Sequence, residues 1–311
     1  MTIDNLMKKL IVKLTPVSYN GKYLHIDLHG GLCNKLHCLF SACDIALKKN
    51  CTLIEPFFGW KERILFSDIY DIDYFNEVMS PYNQGKQIMI SRDKLNDETI
   101  KRRTINSSIN LWSYSEKELV LERLKCNVGK DSTKLKVLKA LRLKPELDKL
   151  VTEHTKDLFT SIQIRIENDW VAYAQKKVVE KNETLLIDID TLLLMLSEFN
   201  IVGNLFFTSG ERHNEIYSAL TKLGITPFYF FNPEFEYEIN AAINFEICCK
   251  AHSFIGLSRS SYSNLITLKR AIVLENENSF IYNLNNKISP RVDKGLQPIA
   301  IDSVTKETTL S

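Results

Sequence analysis

A chain of 311 residues that is 44% hydrophobic is long and apolar enough to bury the cores of two domains. Its 40 basic residues nearly cancel its 38 acidic ones, which excludes the broad positive footprint of a protein that grips nucleic acid. The seven cysteines, at 33, 38, 43, 51, 126, 248 and 249, form no CxxC pair and are odd in number, so reduced thiols in a cytoplasmic protein are expected.

Met1 to Leu14 holds only a short apolar run with no small-residue cleavage site, and no later stretch approaches the roughly 20 apolar residues of a membrane span. No membrane span is therefore expected. Tyr23 to Leu28 alternates as a strand, passes through His29, Gly30 and Gly31, and meets helical spacing over Leu36 to Lys48. Thr52 to Ile54 is a second short strand that Pro56 ends, which completes a βαβ unit of an open parallel sheet. The polar stretch from Ser91 to Ser132 shows no clean strand and is assigned to the periphery. Pro145 opens a helix that runs to about His154. A second βα series follows: strand Leu158 to Ile166, helix Leu186 to Phe199, strand Asn204 to Thr208 and helix Asn214 to Leu223. It continues through strand Pro227 to Phe231, helix Glu238 to Cys249, strand Ser253 to Ile255, helix Tyr262 to Leu268 and strand Ala271 to Leu274. The expected division is an N-terminal Rossmann-like domain over 1–152 and a C-terminal one over 153–311, with a loosely held polar tail from Lys294.

Four segments close expected strands, where open α/β sheets place ligands. In HGGLCNKLH, His29 to His37, paired glycines permit a tight turn before a helix N-terminus, which suits an anion or a hydroxyl but is also a common structural turn. In IQIRIENDW, Ile162 to Trp170, Arg165 sits in an apolar strand. A buried guanidinium must meet either a bound anion or a protein carboxylate such as Glu167 or Asp169. FFTSGERHNEI, Phe206 to Ile216, delivers Ser209 and Glu211 to a strand end, where Ser209 either bonds a ligand or caps the next helix. FIGLSRSSYSNLI, Phe254 to Ile266, sets Ser258, Ser260, Ser261 and Ser263 around a helix start, more hydroxyls than one cap needs and enough for a phosphate cradle without lysine.

Taken together and in order, HGGLCNKL, IQIRIENDW, FTSGE and GLSRSSYS resemble the motifs of the GDP-fucose-dependent fucosyltransferase superfamily, in particular the protein O-fucosyltransferases and their plant-type relatives. The resemblance spans residues 24 to about 270. It implies a GT-B fold of two facing Rossmann-like domains, the donor mostly in the C-terminal one. It also implies inverting transfer of fucose from GDP-fucose, without a divalent metal or other cofactor, to a glycan or protein acceptor. Asn34 takes the position of the family's donor-site asparagine, Arg165, Glu167 and Asp169 match HLRxExD, and Ser260 and Ser261 match the phosphate-binding serines with Tyr262 as the packing aromatic. Gly30, Gly31, Gln163, Glu211 and Asn244 complete the donor-site candidates.

Two positions depart from the pattern. Gln163 replaces a histidine, so a titratable donor is lost while amide hydrogen bonding remains. Asn244 stands where the family has an aspartate that accepts from guanine, offering one acceptor and one donor in place of two acceptors. Without a metal, Arg165, the serines and the helix start at Tyr262 must neutralise the departing diphosphate. Asp71–Asp73 and Asp188–Asp190 are DxD pairs by letter only. A base for the acceptor hydroxyl is sought at the first domain's strand ends, among Asp27, His29 and Glu55, although alternation turns Asp27 toward the core. Three other readings stay open: the same fold with a different nucleotide-sugar donor, a catalytically silent sugar-nucleotide or glycan-binding protein, and a structural protein without ligand.

Overall fold

The structure, a computed structural model, describes residues 22–28, 30–59, 64–95, 104–106, 132–176 and 182–291. Strand β1 (Lys22–His25) is followed by helix α1 (Leu32–Lys49) and strand β2 (Cys51–Ile54). Asn50 ends α1 in the left-handed region at φ 48°, its N–H returning to Ala46 and Leu47. Helices α2 (Phe66–Ile69) and α3 (Ile72–Met79) precede β3 (Met89–Ile90). Buried Asn76 on α3 fastens β3 by accepting from the Ile88 and Met89 N–H groups and donating to the Met89 carbonyl. Strand β4 (Thr104–Asn106) pairs with β1 and completes a parallel sheet in the order β3-β2-β1-β4. The Ser91 to Ser132 stretch thus does contribute a strand, which corrects the peripheral assignment. A three-residue strand in a polar context carries too little alternation to stand out, and the edge of β1 supplies the pairing.

Helices α4 (Thr133–Ala140) and α5 (Pro145–His154) lead to the second sheet. Its strands are β5 (Phe159–Gln163), β6 (Asn204–Thr208), β7 (Pro227–Phe228), β8 (Ser253–Gly256), β9 (Ser279–Leu284) and β10 (Lys287–Pro290). Their order is β10-β9-β8-β5-β6-β7, with only β10 antiparallel to its neighbour. Helices α6 (Asn168–Ala174), α7 (Ile189–Ser197), α8 (His213–Lys222), α9 (Tyr237–Lys250) and α10 (Ser261–Val273) connect them. All five β5 residues are buried, as expected of a central parallel strand covered on both faces.

The expected strand Ala271 to Leu274 is instead the end of α10. A four-residue apolar run does not reveal its period, and here it extends a helix anchored by Arg270. That fully buried guanidinium donates to the carbonyls of Cys248, Cys249, Ala251, His252 and Asn278. The outer strand comes later, as β9. Asp188 is also displaced from its expected place inside a helix, since it caps α7 by accepting from the Thr191 N–H.

The two halves share one apolar core. It runs from Leu24, Leu36 and Leu53 through Leu138 and Val151 to Phe159, Phe254, Ile247 and Leu268. Helices α9 and α10 therefore cover one face of the second sheet and also pack toward the first half. A separate core on the other face joins Ile162, Phe207, Ile255 and Trp170 to α7 and α8. Buried polar contacts cross the same boundary: Lys35 on α1 pairs with Glu238 on α9 and also donates to the Phe58 carbonyl. All six described cysteines are buried. Among the described residues no helix is long and apolar enough to cross a membrane.

Candidate functional site

In the second sheet β6 and β7 follow on one side of β5, and β8, β9 and β10 are laid down on the other, so β5 and β8 flank the point where strand order reverses. Open α/β sheets bind ligands in the crevice beyond the strand ends at this point. A cleft of about 720 Å³ lies there, within the usual size of ligand sites. Its walls bring together Gly31, Asn34, Gln163, Arg165, Glu211, Asn244, Ser260, Ser261 and Tyr262. Residues proposed from the four strand-end segments, and Asn244 from α9, thus meet in one cavity.

Just beyond β5, Arg165 donates through Nε to Glu167 at 2.9 Å and through Nη2 to both oxygens of Asp169 at 3.2 and 3.3 Å. It also lies over the Trp170 ring, 4.9 Å from its centre. The two carboxylates differ in kind. Glu167 is nearly buried and accepts from the Gly210 N–H at 2.6 Å, which ties the second motif to the third, whereas Asp169 is 76% exposed. A Cβ at Gly210 would stand 3.0 Å from that Glu167 carboxylate, so a larger residue would press the carboxylate back by a few tenths of an ångström. Both alternatives for Arg165 coexist: it has protein partners, one of them exposed and exchangeable, and it faces a cavity. Ser209 does not cap α8, whose N-cap is Arg212; its hydroxyl instead reaches Glu167 at 3.4 Å.

Gln163 fills the histidine position with a different task. Its Oε1 accepts from Ser260 at 2.9 Å and from Ser263, binding the end of β5 to the start of α10. Ser260 caps α10 through the Ser263 N–H, so that helix begins at Ser261, one residue before the expected start. Ser261 donates to Asn34 Oδ1 at 2.9 Å and so joins the two halves at the cleft. Behind Asn34, Gly30 has φ +78°, and a Cβ there would come within 2.7 Å of the Asn34 amide nitrogen. Only glycine fits that turn. Tyr262 packs edge-on against Phe245 and donates to the Ala241 carbonyl at 2.9 Å, the packing part expected of it. The first N–H groups of α10 thus open on the cleft, and a helix start of this kind favours an anion.

Asn244 donates through Nδ2 to the Phe230 carbonyl at 3.2 Å, while its buried Oδ1 has no hydrogen-bond partner. One N–H of the amide is therefore taken by the backbone, while the buried oxygen is left without a partner in a residue that lines the cleft. Glu246 points away and pairs with Lys269 at 2.6 Å. Beside Asn244 an aromatic wall rises: His213 stacks between Tyr229 and Phe231 at 5.0 and 5.3 Å, and Phe231 is 54% exposed. Sequence reasoning missed His213, Phe231, Phe235 and Tyr237 as lining residues. The aromatic density of PFYFF, Pro227 to Phe231, was the available signal, but it reads equally as strand core.

Glu55 does not belong to the cleft. It is fully buried, and its carboxylate accepts from the Ser67 N–H at 2.8 Å, the Ser91 hydroxyl at 3.0 Å and the Arg92 N–H at 3.2 Å. This corrects its candidacy as base, because a carboxylate saturated by loop donors away from the cavity holds those loops. Asp27 is exposed rather than turned into the core, since β1 ends at His25 and alternation lapses. His29 lies outside the described residues. Burial raises the Cys33 thiol well above its ordinary range, so this cleft residue is no thiolate nucleophile. Among the described residues no group of three or more His, Cys, Asp or Glu side chains could hold a metal ion.

This architecture, a parallel sheet and a mostly parallel one with the crevice beyond the second, is that of GT-B-like fucosyltransferase structures. The crystal structure of POFUT1 in complex with GDP superposes with a TM-score of 0.58 at 12% identity, covering 85% of this chain and 98% of that one. A POFUT1 complex with GDP-fucose matches equally, and the fucosyltransferase NodZ from Bradyrhizobium matches with a TM-score of 0.50 at 12% identity, over 85% of this chain and 96% of that one. In sequence, O-fucosyltransferase 13 of Arabidopsis thaliana is 38% identical over 71 residues, 22% of this chain and 16% of that protein. The chain thus matches about a sixth of that relative's length. No protein-family model matches the chain.

Proposed function

We propose that the chain is a glycosyltransferase that moves fucose from GDP-fucose to a hydroxyl of a glycan or protein acceptor, with inversion and without a divalent metal. The observation that carries this reading is the meeting of Asn34, Arg165, Ser260 and Ser261 at the switch-point cleft of a fold shared with structures solved with GDP and GDP-fucose. In this scheme the diphosphate rests on the α10 N-terminus and takes Nη2 of Arg165 from Asp169, while Glu167 keeps Nε in place. Charge then develops on the leaving diphosphate against donors that are already oriented, the arrangement that lowers a barrier most. The base stacks beside Phe231 and gives an N–H to the free Oδ1 of Asn244, so the amide works as an acceptor as the family aspartate would. Glu211, exposed on the cleft wall with no hydrogen bond among the described residues, is the carboxylate left to meet a sugar or acceptor hydroxyl.

A panel of sugar nucleotides, read by release of free nucleotide, tests this directly. GDP-fucose is expected to turn over and EDTA to leave the rate unchanged. Activity with UDP-sugars alone would overturn the guanine reading, and full loss in EDTA the metal-free one. A second reading, a nucleotide-sugar-binding protein without transfer, is favoured by the diversion of Glu55 to a structural task. Thermal stabilisation by GDP without turnover on any acceptor would select it.

A further inference from the structure

Among the described residues lining the cleft the permanently cationic side chains are Arg165 and Arg259, and there is no lysine. Arg165 shares its donors with two carboxylates, and a ligand with two ionised phosphoryl groups offers acceptors to more than one guanidinium. Arg259 immediately precedes Ser260, the cap of α10. Its guanidinium is gripped in a parallel fork, Nε to Glu183 Oε1 at 2.8 Å and Nη2 to Glu183 Oε2 at 2.5 Å. The Glu183 side chain is wholly buried and that of Arg259 is 10% exposed.

Glu183 is itself fixed to the sheet. It accepts from the Ser258 hydroxyl at 3.1 Å, and Ser258 exchanges hydrogen bonds with Asn283 on β9. Its backbone bridges Leu284, and the neighbouring Thr184 N–H reaches the Asn283 carbonyl at 3.0 Å. A helix cap and its hydroxyls need no such scaffold; here the planar fork of Arg259 is matched by a wholly buried carboxylate that the sheet holds in place. What the scaffold achieves is an arginine held on the cleft wall at the phosphate cradle, with its side-chain entropy removed before any ligand arrives.

We propose that Arg259 is a second cationic contact for the diphosphate of the bound nucleotide, with Glu183 as its positioning residue. This rests on the nucleoside-diphosphate reading of the cleft. The test compares GDP with guanosine, the same base without phosphates, on the full chain. The double variant Arg259→Gln/Glu183→Gln removes the cation without leaving a buried carboxylate unpaired. GDP binding by titration calorimetry is expected to weaken at least tenfold, while guanosine binding by saturation-transfer NMR and the melting temperature stay at wild-type values. GDP affinity within twofold of wild type overturns the proposal, as does an equal loss for GDP and guanosine, which would mark a merely structural pair. Should the double variant fail to fold, Arg259→Lys keeps charge against Glu183 but loses the fork. It is expected to lose GDP affinity several-fold and guanosine affinity not at all, and unchanged GDP affinity would again refute the idea. If the wild-type chain binds guanosine but not GDP, the diphosphate reading itself fails, a result separate from any effect of Arg259.

Discussion

Arg165 is held by one carboxylate that positions it and one that competes for it. Glu167, buried and bonded to the Gly210 N–H, orders the guanidinium. Asp169, largely exposed, forms the sort of surface pair that contributes only about 0–1 kcal/mol. Asp169→Asn is therefore expected to leave the melting temperature unchanged and to tighten GDP binding, because a phosphate no longer displaces a carboxylate from Nη2; weaker binding in calorimetry would show that Asp169 acts otherwise. Arg165→Lys keeps a charge beside Glu167 but cannot offer two directed donors. Turnover of GDP-fucose is expected to fall roughly 10²-fold or more with the fold intact, and near-normal turnover would remove Arg165 from the mechanism. These residues were legible from sequence because their setting is local: a guanidinium within an apolar strand, acidic residues two and four positions on, serines around a helix start. Glu55 was misread because Ser91 and Arg92, more than thirty residues away, decide its fate. The orientation of Asn244 was likewise hidden, since the Phe230 carbonyl that sets it lies on a different element.

Elements showed through the sequence where their period had room to repeat. Helix α5 and strand β6 fall where expected, Pro145 and the NLFFT run marking them. By contrast β4 has three residues and the end of α10 reads like a strand, so pattern alone settles neither. Helix α3 owes its start to Asp71. Asp71 accepts from the Tyr74 N–H at 2.9 Å and from Arg142 Nη2 at 2.5 Å, and its own N–H donates to the Arg142 carbonyl. One residue thus caps a helix and fastens it to the strand-like segment before α5. Partial burial alone would raise its pKa, but the Tyr74 and Arg142 bonds outweigh that and hold the carboxyl below the usual carboxylate range. A depressed folded pKa gives stability that is present above the unfolded value near 3.9 and lost as pH falls through the lower folded value. Asp71→Ala is expected to cost about 1–2 kcal/mol at neutral pH and to flatten the acid limb below about pH 4 in urea melts taken across pH. An unchanged acid limb would show that folding does not shift the Asp71 carboxyl.

At the scale of the molecule, the shared core changes what the two sheets mean for motion and stability. Textually separate halves suggest two bodies that open and close about a cleft, yet α9 and α10 bury apolar residues continuous with those of α1, α4 and α5. The Lys35–Glu238 pair is buried at that junction, both side chains at 5% exposure or less. Lys35 immediately follows Asn34, whose bond to Ser261 spans the cleft, and Glu238 follows the cleft residue Tyr237. The ion pair and the site are thereby coupled through two helix starts. Breaking a buried pair from one side leaves a charge without a partner and costs about 3–5 kcal/mol, while replacing both members by apolar groups is often close to neutral. Lys35→Met is accordingly expected to destabilise the chain by about that amount, and Lys35→Met/Glu238→Leu to recover most of it. Because the same core serves both sheets, calorimetry of the wild type should give one unfolding transition, and each variant should shift that transition as a whole rather than split it. Two resolved transitions, with Lys35→Met moving only one of them, would show that the halves unfold independently and that the cleft opens by parting them.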